Sequence, residues 1–141
     1  MEERITMAHG SGGAATGELV GAVFAKEFHS RILDQMEDSA VVKGFGRIAV
    51  TTDSFVVTPV CYPGGNIGRL CICGTVNDLL MRGAQPKYIT CGFILQEGMK
   101  VSLLKEIVQK MAETAREAGV EIIAGDTKVV NGTGECYIRC V

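Results

Sequence analysis

The stretch from Gly64 to Ala84, GGNIGRLCICGTVNDLLMRGA, constrains the fold of this chain more than any other. Its Gly-Gly-Asn opening predicts a turn and then a helix start, because an asparagine side chain can accept hydrogen bonds from the first N–H groups of a helix. No charge follows Arg69 until Asp78, and apolar residues cover most of the helix circumference. A helix that is apolar nearly all round is typical of a protein core, since no face is left for water.

Asp78, next to Asn77, is the exception within this predicted core helix. A buried carboxylate is costly unless it is paired or bound to a cation. Two interpretations are open: a hydrogen-bonded structural aspartate, or a ligand in a site that contains other acids. The choice depends on how many other carboxylates occur in similar settings elsewhere in the chain.

The length and charge of the chain narrow the class of protein. Its 141 residues suffice for one domain with a substantial core, and 47% hydrophobic against 21% charged residues argues against disorder. A net charge of −2 without a lysine or arginine cluster gives no reason to expect a nucleic acid or an anionic membrane as partner. The charged start, MEERIT, is not a secretory signal, and no apolar run could span a bilayer. We therefore expect a cytoplasmic protein.

The six cysteines follow no metal or disulfide pattern. None forms a C-x-x-C pair, and His9 and His29 are not spaced as zinc ligands. Cys136 and Cys140 lie on one face of a predicted strand but about 13 Å apart, too far for a disulfide bond. We expect the cysteines to be small buried hydrophobic residues in a reducing cytosol, without redox or metal function.

Hydrophobic periodicity predicts two further long helices. One runs roughly from Ala14 to Phe28 after the glycine-rich loop AHGSGG, and the other runs from Val101 to Ala118 with Gly119 as its C-cap. A Gly/Ser loop at a helix start can cradle phosphate with its free N–H groups. The alternative stays open that the loop is only a flexible entry to the helix and that its histidine merely bonds backbone.

Strand-like segments complete the predicted fold. They are Ala40–Val42, Arg47–Thr52, Phe55–Thr58, Lys87–Leu95, Val120–Ala124 and Glu135–Val141. The first two are expected to pair as a hairpin, and Gly125–Lys128 is expected to end the fifth. Two long helices, each followed by a strand, predict an α/β (α+β) domain with one mixed sheet and helices on one face.

Acidic residues at four places share a setting beside small or hydroxyl residues: Glu37-Asp38, Asp53, Asp78 and Asp126. Oxygen donors gathered at strand ends suit Mg²⁺, which takes one or two carboxylates and leaves room for phosphate oxygens. Together with Ser11 in the glycine loop and Lys128, they would form a site for a nucleoside triphosphate. The alternative is an assortment of ordinary turn acids.

The motifs of the chain resemble one known family. They are AHGSGG (8–13), EDSAVV (37–42), TTDSFVVTP (51–59), YPGGNIGRLCICGTVNDLLMRGA (62–84), GFILQEG (92–98) and AGDTKVV (124–130). In this order they resemble the HypE family of hydrogenase expression/formation proteins. More broadly, they are similar to the superfamily of aminoimidazole ribonucleotide synthetase, selenophosphate synthetase and thiamine monophosphate kinase. The resemblance covers nearly the whole chain.

The resemblance implies an ATP-dependent carbamoyl dehydratase, a lyase of [NiFe] hydrogenase maturation. In that family a partner carbamoyltransferase places a carbamoyl group on the protein's own carboxyl-terminal cysteine. ATP then activates the oxygen of this group, and loss of phosphate leaves a thiocyanate. The thiocyanate is the source of the cyanide ligand of the iron, which is passed on through an iron-scaffold maturation complex.

The resemblance also implies a domain arrangement. Residues 1–141 correspond to the amino-terminal ATP-binding and dimerisation domain of the aminoimidazole ribonucleotide synthetase-like fold. Two copies are expected to join their sheets into a shared barrel, with ATP in the cleft beside the homodimer interface. The second, carboxyl-terminal domain and the cysteine tail of the family are absent from this sequence. Cys140 is expected to be an internal strand residue, so the catalytic acceptor is unknown here and we expect only the nucleotide-binding half.

The site residues are carried over position by position. The acids that the family uses for Mg²⁺ and phosphates correspond to Asp38, Asp53, Asp78 and Asp126. The loop that closes over ATP corresponds to His9, Gly10, Ser11, Gly12 and Gly13. Further polar contacts are expected from Asn77, Thr127 and Lys128.

Two other functions are kept as alternatives. The first is another ATP-dependent member of the superfamily, such as a thiamine-phosphate kinase or a selenophosphate synthetase. The latter would carry a catalytic cysteine or selenocysteine in the amino-terminal loop, which here is MAHGSGG. The second is a non-catalytic dimerisation or scaffold domain, which would bind maturation partners but not ATP.

Overall fold

The chain folds into a mixed sheet with helices on one side. The computed structural model describes residues 4–37, 39–44 and 46–141. In chain order the elements are a 3₁₀ turn Met7–Gly10, helix α1 Ala14–Leu19, a π-helical segment Val20–Ala25, helix α2 Lys26–Phe28, a 3₁₀ turn Leu33–Gln35, strands β1 Asp53–Phe55, β2 Cys61–Tyr62 and β3 Gly65–Asn66, helix α3 Ile67–Met81, strand β4 Tyr88–Gln96, helix α4 Val101–Ala118, and strands β5 Glu121–Val130 and β6 Cys136–Cys140.

The main sheet has the strand order β1-β6-β4-β5. β4 and β5 are parallel, whereas β6 is antiparallel to both β4 and β1. Alternate residues of β4 are buried on the face that the helices cover: Ile89, Cys91, Phe93 and Leu95. The opposite face, here called the open face, carries Ile94 and Val130, both partly exposed. The predicted mixed sheet with helices on one face is confirmed.

Helix α3 begins where the sequence predicts. The Asn66 side chain accepts hydrogen bonds from the N–H groups of Gly68 and Arg69, at 2.9 and 3.1 Å. Gly68 lies against α4 so closely that a Cβ there would stand 2.3 Å from the Ile107 carbonyl oxygen. The absence of a side chain at this position therefore sets the distance between the two helices.

The second half of α3 corrects the prediction of a helix buried all round. Its residues Asn77 and Asp78 are exposed, as are Leu80 and Met81. Helix α3 contacts α4, β1 and β6 through its earlier turns, and the described part of the chain places no element over the last one. Apolar composition marks a surface that can be buried but does not identify what buries it.

The other two long helices agree with their predicted bounds. The segments from Ala14 to Phe28 follow one another without a break, although the middle is π-helical. Helix α4 covers Val101–Ala118 and ends at Gly119, whose φ of 69° is the left-handed conformation that glycine adopts readily. Within the described ranges, no helix has the length and apolar content needed to cross a membrane.

Three strand predictions are wrong: residues 40–42, residues 47–52, and Phe55–Thr58, of which only Phe55 belongs to a strand, as the last residue of β1. Residues 40–42 and 47–52 form no strand and no hairpin, and Ile48 and Val50 are each 71% exposed. The only described neighbour of β1 is β6, so the described part of the chain offers residues 40–42 and 47–52 no strand to pair with. Strand β5 instead continues through Gly125–Lys128, because its parallel pairing with β4 extends to Val130 and overrides the local turn preference of Gly-Asp.

The cysteines behave largely as predicted. All six are free thiols, and those on the covered side, Cys71, Cys91, Cys136 and Cys140, are buried. Cys61 and Cys73 are half-buried. The expectation that Cys140 is an internal strand residue is confirmed, since it belongs to β6 and pairs with both β4 and β1.

Candidate functional site

A cavity of ≈ 320 Å³ lies between the glycine-rich loop, the first helix and β5. One part of its lining is apolar and includes Val20, Phe24, Phe28, Ile32, Leu33 and Phe93. The other part is polar and includes Gly10, Ser11, Gly12, Thr16, Asp126, Thr127 and Lys128. Small-molecule sites commonly occupy about 300–1,000 Å³ and combine apolar walls with a few polar groups. The cavity fits that description.

The apolar part is built by aromatic packing between the first helix and the sheet. The rings of Phe24 and Phe93 lie with centroids 4.6 Å apart at an interplanar angle of 49°. Val20 and Phe24 belong to the π-helical segment, a rare conformation that is frequent at functional sites. A flat, weakly polar ring system could replace water against these side chains.

The glycine loop lies directly on β5. A Cβ at Gly10 would stand 2.4 Å from the Val129 nitrogen, so only glycine permits this approach. The Thr16 hydroxyl accepts a hydrogen bond from the Gly12 N–H at 3.0 Å, and the Ser11 hydroxyl donates to the Ala8 carbonyl at 2.9 Å. The loop and the AGDTKVV segment, which are distant in sequence, are therefore neighbours.

His9 and Gly13 are not part of the cavity lining. The Nδ1 atom of His9 accepts a hydrogen bond from the Thr6 N–H at 3.0 Å, so the neutral ring carries its proton on Nε2. This hydrogen bond agrees with the alternative interpretation of the sequence, in which the loop histidine only bonds to the backbone. Gly13 is the N-cap of α1 in an extended conformation.

Strand β5 presents its polar residues to two sides. The Thr127 side chain is 9% exposed and is paired in register with Phe93, on the covered face. Asp126 and Lys128 alternate with it and form an ion pair, with Nζ and Oδ1 2.9 Å apart. Because both side chains are more than 60% exposed, the pair is worth at most about 1 kcal/mol and can open for another charged group.

Of the four predicted acids, the three that the structure describes, Asp53, Asp78 and Asp126, are not gathered at one point. The register places Asp53, Cys140, Cys91 and Gly125 in one row across the sheet. Asp53 is therefore about 14 Å from the neighbourhood of Asp126, since three strand spacings separate them. One cation cannot bridge these two carboxylates within a single chain.

The remaining acids lie near α3 or outside the described structure. Asp53 Oδ1 accepts a hydrogen bond from the Ser54 N–H, and a Cβ on Gly74 would stand 3.5 Å from Asp53 Oδ2. Asp78 follows Gly74 by one helical turn and is exposed, as is Asn77. Asp38 lies outside the described residues, between Glu37 and Ser39, which both line the cavity.

Among the residues that the structure describes, no group of three or more His, Cys, Asp or Glu side chains could hold a metal ion. Mg²⁺ is often held by only one or two carboxylates, with phosphate oxygens and water as the other ligands. Asp126 borders the cavity, but its exposed carboxylate alternates with Thr127 and lies on the open face, so it could serve only a phosphate or an ion at the edge of β5. The donor set thus suits Mg²⁺ that arrives with a phosphate ligand rather than Mg²⁺ held by protein alone.

Sequence reasoning missed the aromatic wall and Thr16 as site residues. Phe24 belonged to the apolar face of a predicted helix and Phe93 to a predicted strand rich in aromatic and branched residues, so neither was identified as a site residue. Cys91 was also missed: it lines the cavity, with its Sγ 3.5 Å from that of Cys140. The hydrogen bond to Cys140 and burial raise the pKa of Cys91 well above its ordinary value.

Comparison with known proteins agrees with this architecture. Residues 36–141 match the AIR synthase related protein, N-terminal domain. The carbamoyl dehydratase HypE of Escherichia coli (strain K12) is 49% identical over 132 residues, which cover 89% of this chain and 39% of that protein. The chain thus spans about two fifths of the length of the curated relatives that it matches.

Two solved structures are similar in fold and sequence. A crystal structure of the hydrogenase maturation protein HypE in complex with ATP has a TM-score of 0.92 and 43% identity, covering 95% of this chain and 41% of that one. A crystal structure of a HypE–HypF complex has a TM-score of 0.65 and 49% identity, covering 91% of this chain and 41% of that one. The chain belongs to the AIR synthase related family and carries its amino-terminal domain.

Proposed function

We propose that this chain is the amino-terminal, nucleotide-binding domain of an ATP-dependent carbamoyl dehydratase of [NiFe] hydrogenase maturation. The observation that carries the proposal is the divided cavity, with an aromatic wall on one side and a glycine loop with Thr127 and Lys128 on the other. The likeness to a HypE structure that contains ATP supports the choice of nucleotide. The identity with a named carbamoyl dehydratase supports the reaction class.

Each part of the cavity has a role in this proposal. Phe24 and Phe93 provide apolar surface for the adenine ring. Gly10, Ser11 and Gly12, the part of the predicted His9–Gly13 loop that lines the cavity, would lie over the phosphates, whose negative charge is favoured at the start of a helix. Lys128 leaves its weak pair with Asp126 to neutralise phosphate charge, and Thr127 offers a hydroxyl group.

Mg²⁺ would reach the site with ATP. We propose Asp126, at the edge strand beside the cavity, as one carboxylate for this ion, with Asp53 and Asp78 near α3 and Asp38 as further candidates, and Asn77 as a polar contact. Bound Mg²⁺ would offset the charge of the phosphates. The separation of Asp53 from Asp126 implies that these acids serve different phosphates, different ions or different protomers.

The dehydration itself belongs to the longer protein. Removal of water from an S-carbamoyl cysteine needs its oxygen to become a good leaving group, and transfer of a phosphoryl group from ATP achieves this. The acceptor cysteine is expected in the part of the relatives that this chain does not cover. We propose that residues 1–141 bind and orient ATP for that step in the cytoplasm.

The proposed partners follow from exposed surface and from the relatives. The open face and the exposed Ile48 and Val50 would be buried if two copies joined their sheets into a shared barrel, which supports a homodimer. The crystallised HypE–HypF complex supports a maturation partner for the full-length protein, which we propose to be the carbamoyltransferase. An iron-scaffold complex would receive the product.

Calorimetric titration of the 141-residue chain with ATP, with and without Mg²⁺, tests the nucleotide site. We expect Mg²⁺-dependent binding, which Lys128→Ala should weaken by about tenfold because a charged hydrogen bond to phosphate is lost. The matched control is Lys105→Ala, which removes an exposed lysine from the outer side of α4. Equal affinities of wild type and Lys128→Ala would overturn the proposed phosphate site.

Asp78→Asn separates a ligand role from a structural one. Because Asp78 is exposed, the substitution should leave the unfolding free energy within about 0.5 kcal/mol of wild type while it weakens Mg-ATP binding. Loss of the fold with normal affinity in the surviving protein would support the structural aspartate instead.

The mass of the chain in solution distinguishes the remaining possibilities. Binding by a dimer would support a nucleotide site within this domain. A dimer that does not bind ATP would favour the non-catalytic dimerisation domain. Substitution Val50→Asp should convert a dimer to a monomer if the exposed apolar segment forms the interface.

A further inference from the structure

We propose that Cys91 and Cys140 form a modification site, in which a small peroxide converts the two buried thiols into a cross-strand disulfide bond. Their Sγ atoms lie 3.5 Å apart in the reduced protein. The inference goes beyond the proposed function and does not depend on nucleotide binding.

The backbone geometry favours this bond. Cys91 and Cys140 are directly opposite in the antiparallel pair of β4 and β6. Thr90 and Val141, the next pair, exchange both backbone hydrogen bonds at 2.8 and 3.0 Å. Cys91 and Cys140 are therefore a non-hydrogen-bonded pair, whose Cα atoms are typically about 4.5 Å apart, within the disulfide range of about 4.4–6.8 Å. The two sulfur atoms need to approach by only about 1.5 Å.

The surroundings single out this pair among the buried thiols. Cys71 also lies within hydrogen-bonding reach of Cys140, but it approaches from α3 rather than from a paired strand, and its Sγ donates to the Gly68 carbonyl at 3.2 Å within its own helix. Cys136 lies on the same strand as Cys140, about 13 Å away along β6. In the described parts of the chain, no cluster of cysteines is arranged to bind a metal. The directly opposed partner of Cys140 across the ladder to β4 is Cys91.

A small oxidant has a route to the pair. The Cys91 side chain is only 1% exposed, yet it lines the cavity, whose border includes the exposed Ser11 and Gly12. Hydrogen peroxide is close to water in size and can enter such a space. Larger oxidants would be excluded from Cys140, which is fully buried.

The chemistry proceeds in two balanced steps. Cys91 reacts from its protonated form, since its pKa is raised: its sulfur attacks one oxygen of hydrogen peroxide, the O–O bond breaks, the departing hydroxide takes the thiol proton, and a sulfenic acid and one water molecule result. Cys140 sulfur then attacks the Cys91 sulfur, the S–O bond breaks, and the leaving hydroxide takes the Cys140 proton as a second water molecule. The two thiols lose two electrons and the peroxide gains them. A dithiol reductant reverses the modification.

The test uses the folded 141-residue chain with Cys61→Ser and Cys73→Ser, which removes the two half-buried thiols. The protein is treated with graded hydrogen peroxide, unfolded in an alkylating agent and digested for mass spectrometry. We expect Cys91 and Cys140 to lose alkylation together, with a peptide that links them and disappears on reduction. Cys71 and Cys136 should remain fully alkylated.

Variants and a denatured control make the result decisive. Cys140→Ala should abolish the linked peptide, whereas Cys136→Ala, which also replaces a buried cysteine of β6, should retain it. Cys91→Ala provides a second test if Cys140→Ala does not fold. Full alkylation of Cys91 and Cys140 in the peroxide-treated folded chain would overturn the proposal. So would a bond from either residue to Cys71, or linkage no more frequent than in chain oxidised in denaturant.

Discussion

The covered face and the open face of the sheet both carry apolar side chains but differ in how far these are buried. On the covered face, Cys91, Phe93 and Ile138 pack beneath the helices and are almost free of solvent contact. On the open face, Ile94 and Val130 remain partly exposed, and the apolar residues Ile48 and Val50 before β1 are more exposed still. The two faces differ because helices cover the first, whereas no described element covers the second.

β-Branched and aromatic residues indicate a surface suited to burial, and on the covered face the same chain supplies the cover. On the open side the described residues supply none, so Ile94 and Val130 stay exposed beside the charged Asp126 and Lys128, and exposed apolar side chains of this kind can serve as a site for another chain or domain. Substitutions on the covered face should therefore act on folding, and those on the open side should act on assembly.

The largest effect is expected on the free energy of unfolding, when Ile107→Ala is compared with Ile48→Ala. Ile107→Ala removes a fully buried side chain from α4, so the free energy of unfolding should fall by about 2–5 kcal/mol. Ile48→Ala removes an exposed side chain and should change the stability of the monomer by less than about 0.5 kcal/mol. Urea unfolding at low protein concentration measures both. Equal destabilisation would mean that residues 46–52 are packed against the core in solution.

The next effect tests the contact between α3 and α4. Gly68→Ala would place a Cβ 2.3 Å from the Ile107 carbonyl oxygen and 2.8 Å from Met111 Cγ, so the helices must separate. We expect a loss of about 1–3 kcal/mol, measured by thermal or urea unfolding. Gly17→Ala is the matched control, because a Cβ there meets nothing within 4 Å, and alanine should stabilise this helix by up to about 1 kcal/mol. A stabilising Gly68→Ala would contradict the close helix contact.

The smallest effect is expected in the pH dependence of the free energy of unfolding. This dependence measures how well the covered face excludes water from Cys136. Burial, with smaller contributions from Cys61 and Glu135, raises the pKa of Cys136 to about 12. The unfolded chain releases this thiol proton near pH 9, whereas the folded chain retains it to about pH 12, so stability must fall as pH rises through that interval. The slope should be about 1.4 kcal/mol per pH unit for this group.

The free energy of unfolding is measured between pH 8 and roughly pH 10 in wild type and in Cys136→Ala. The difference between the two pH slopes is the contribution of the Cys136 thiol. Ile138→Val, a buried substitution on the same strand that does not titrate, is the control and should keep the wild-type slope. A Cys136→Ala slope equal to that of wild type would mean that the thiol is accessible to water.

Local chemistry predicted several elements well. The Gly-Gly-Asn opening predicted the start of α3, and the side chain of Asn66 does cap it. The period of apolar residues and Gly119 together predicted both ends of α4. The glycine loop before the first helix and the GDTK segment of β5 were expected to belong to one site, and the contact of Gly10 with Val129 brings them together. Each of these features depends on neighbours within a few residues or on one close backbone contact that requires glycine.

Other features could not be predicted from local chemistry. The strand propensity of residues 47–52 has no effect without a neighbouring strand, and the Gly-Asp of β5 does not end the strand because β4 continues to pair with it. Asp78 was expected in the core, yet its turn of α3 is uncovered. The aromatic wall of the cavity joins Phe24 and Phe93, two residues that each looked like ordinary core.

The sequence alone therefore determined the helices, their caps, the apolar strand faces and the residue types that can hold a phosphorylated ligand, because these follow from backbone preference and side-chain periodicity. Only the tertiary structure decided which apolar surfaces are covered, how far Asp53 lies from Asp126, and that Cys91 faces Cys140 across the ladder. Such relations depend on strand register and on the approach of distant segments. Burial of apolar area drives distant segments together, but no single residue specifies which segments will meet.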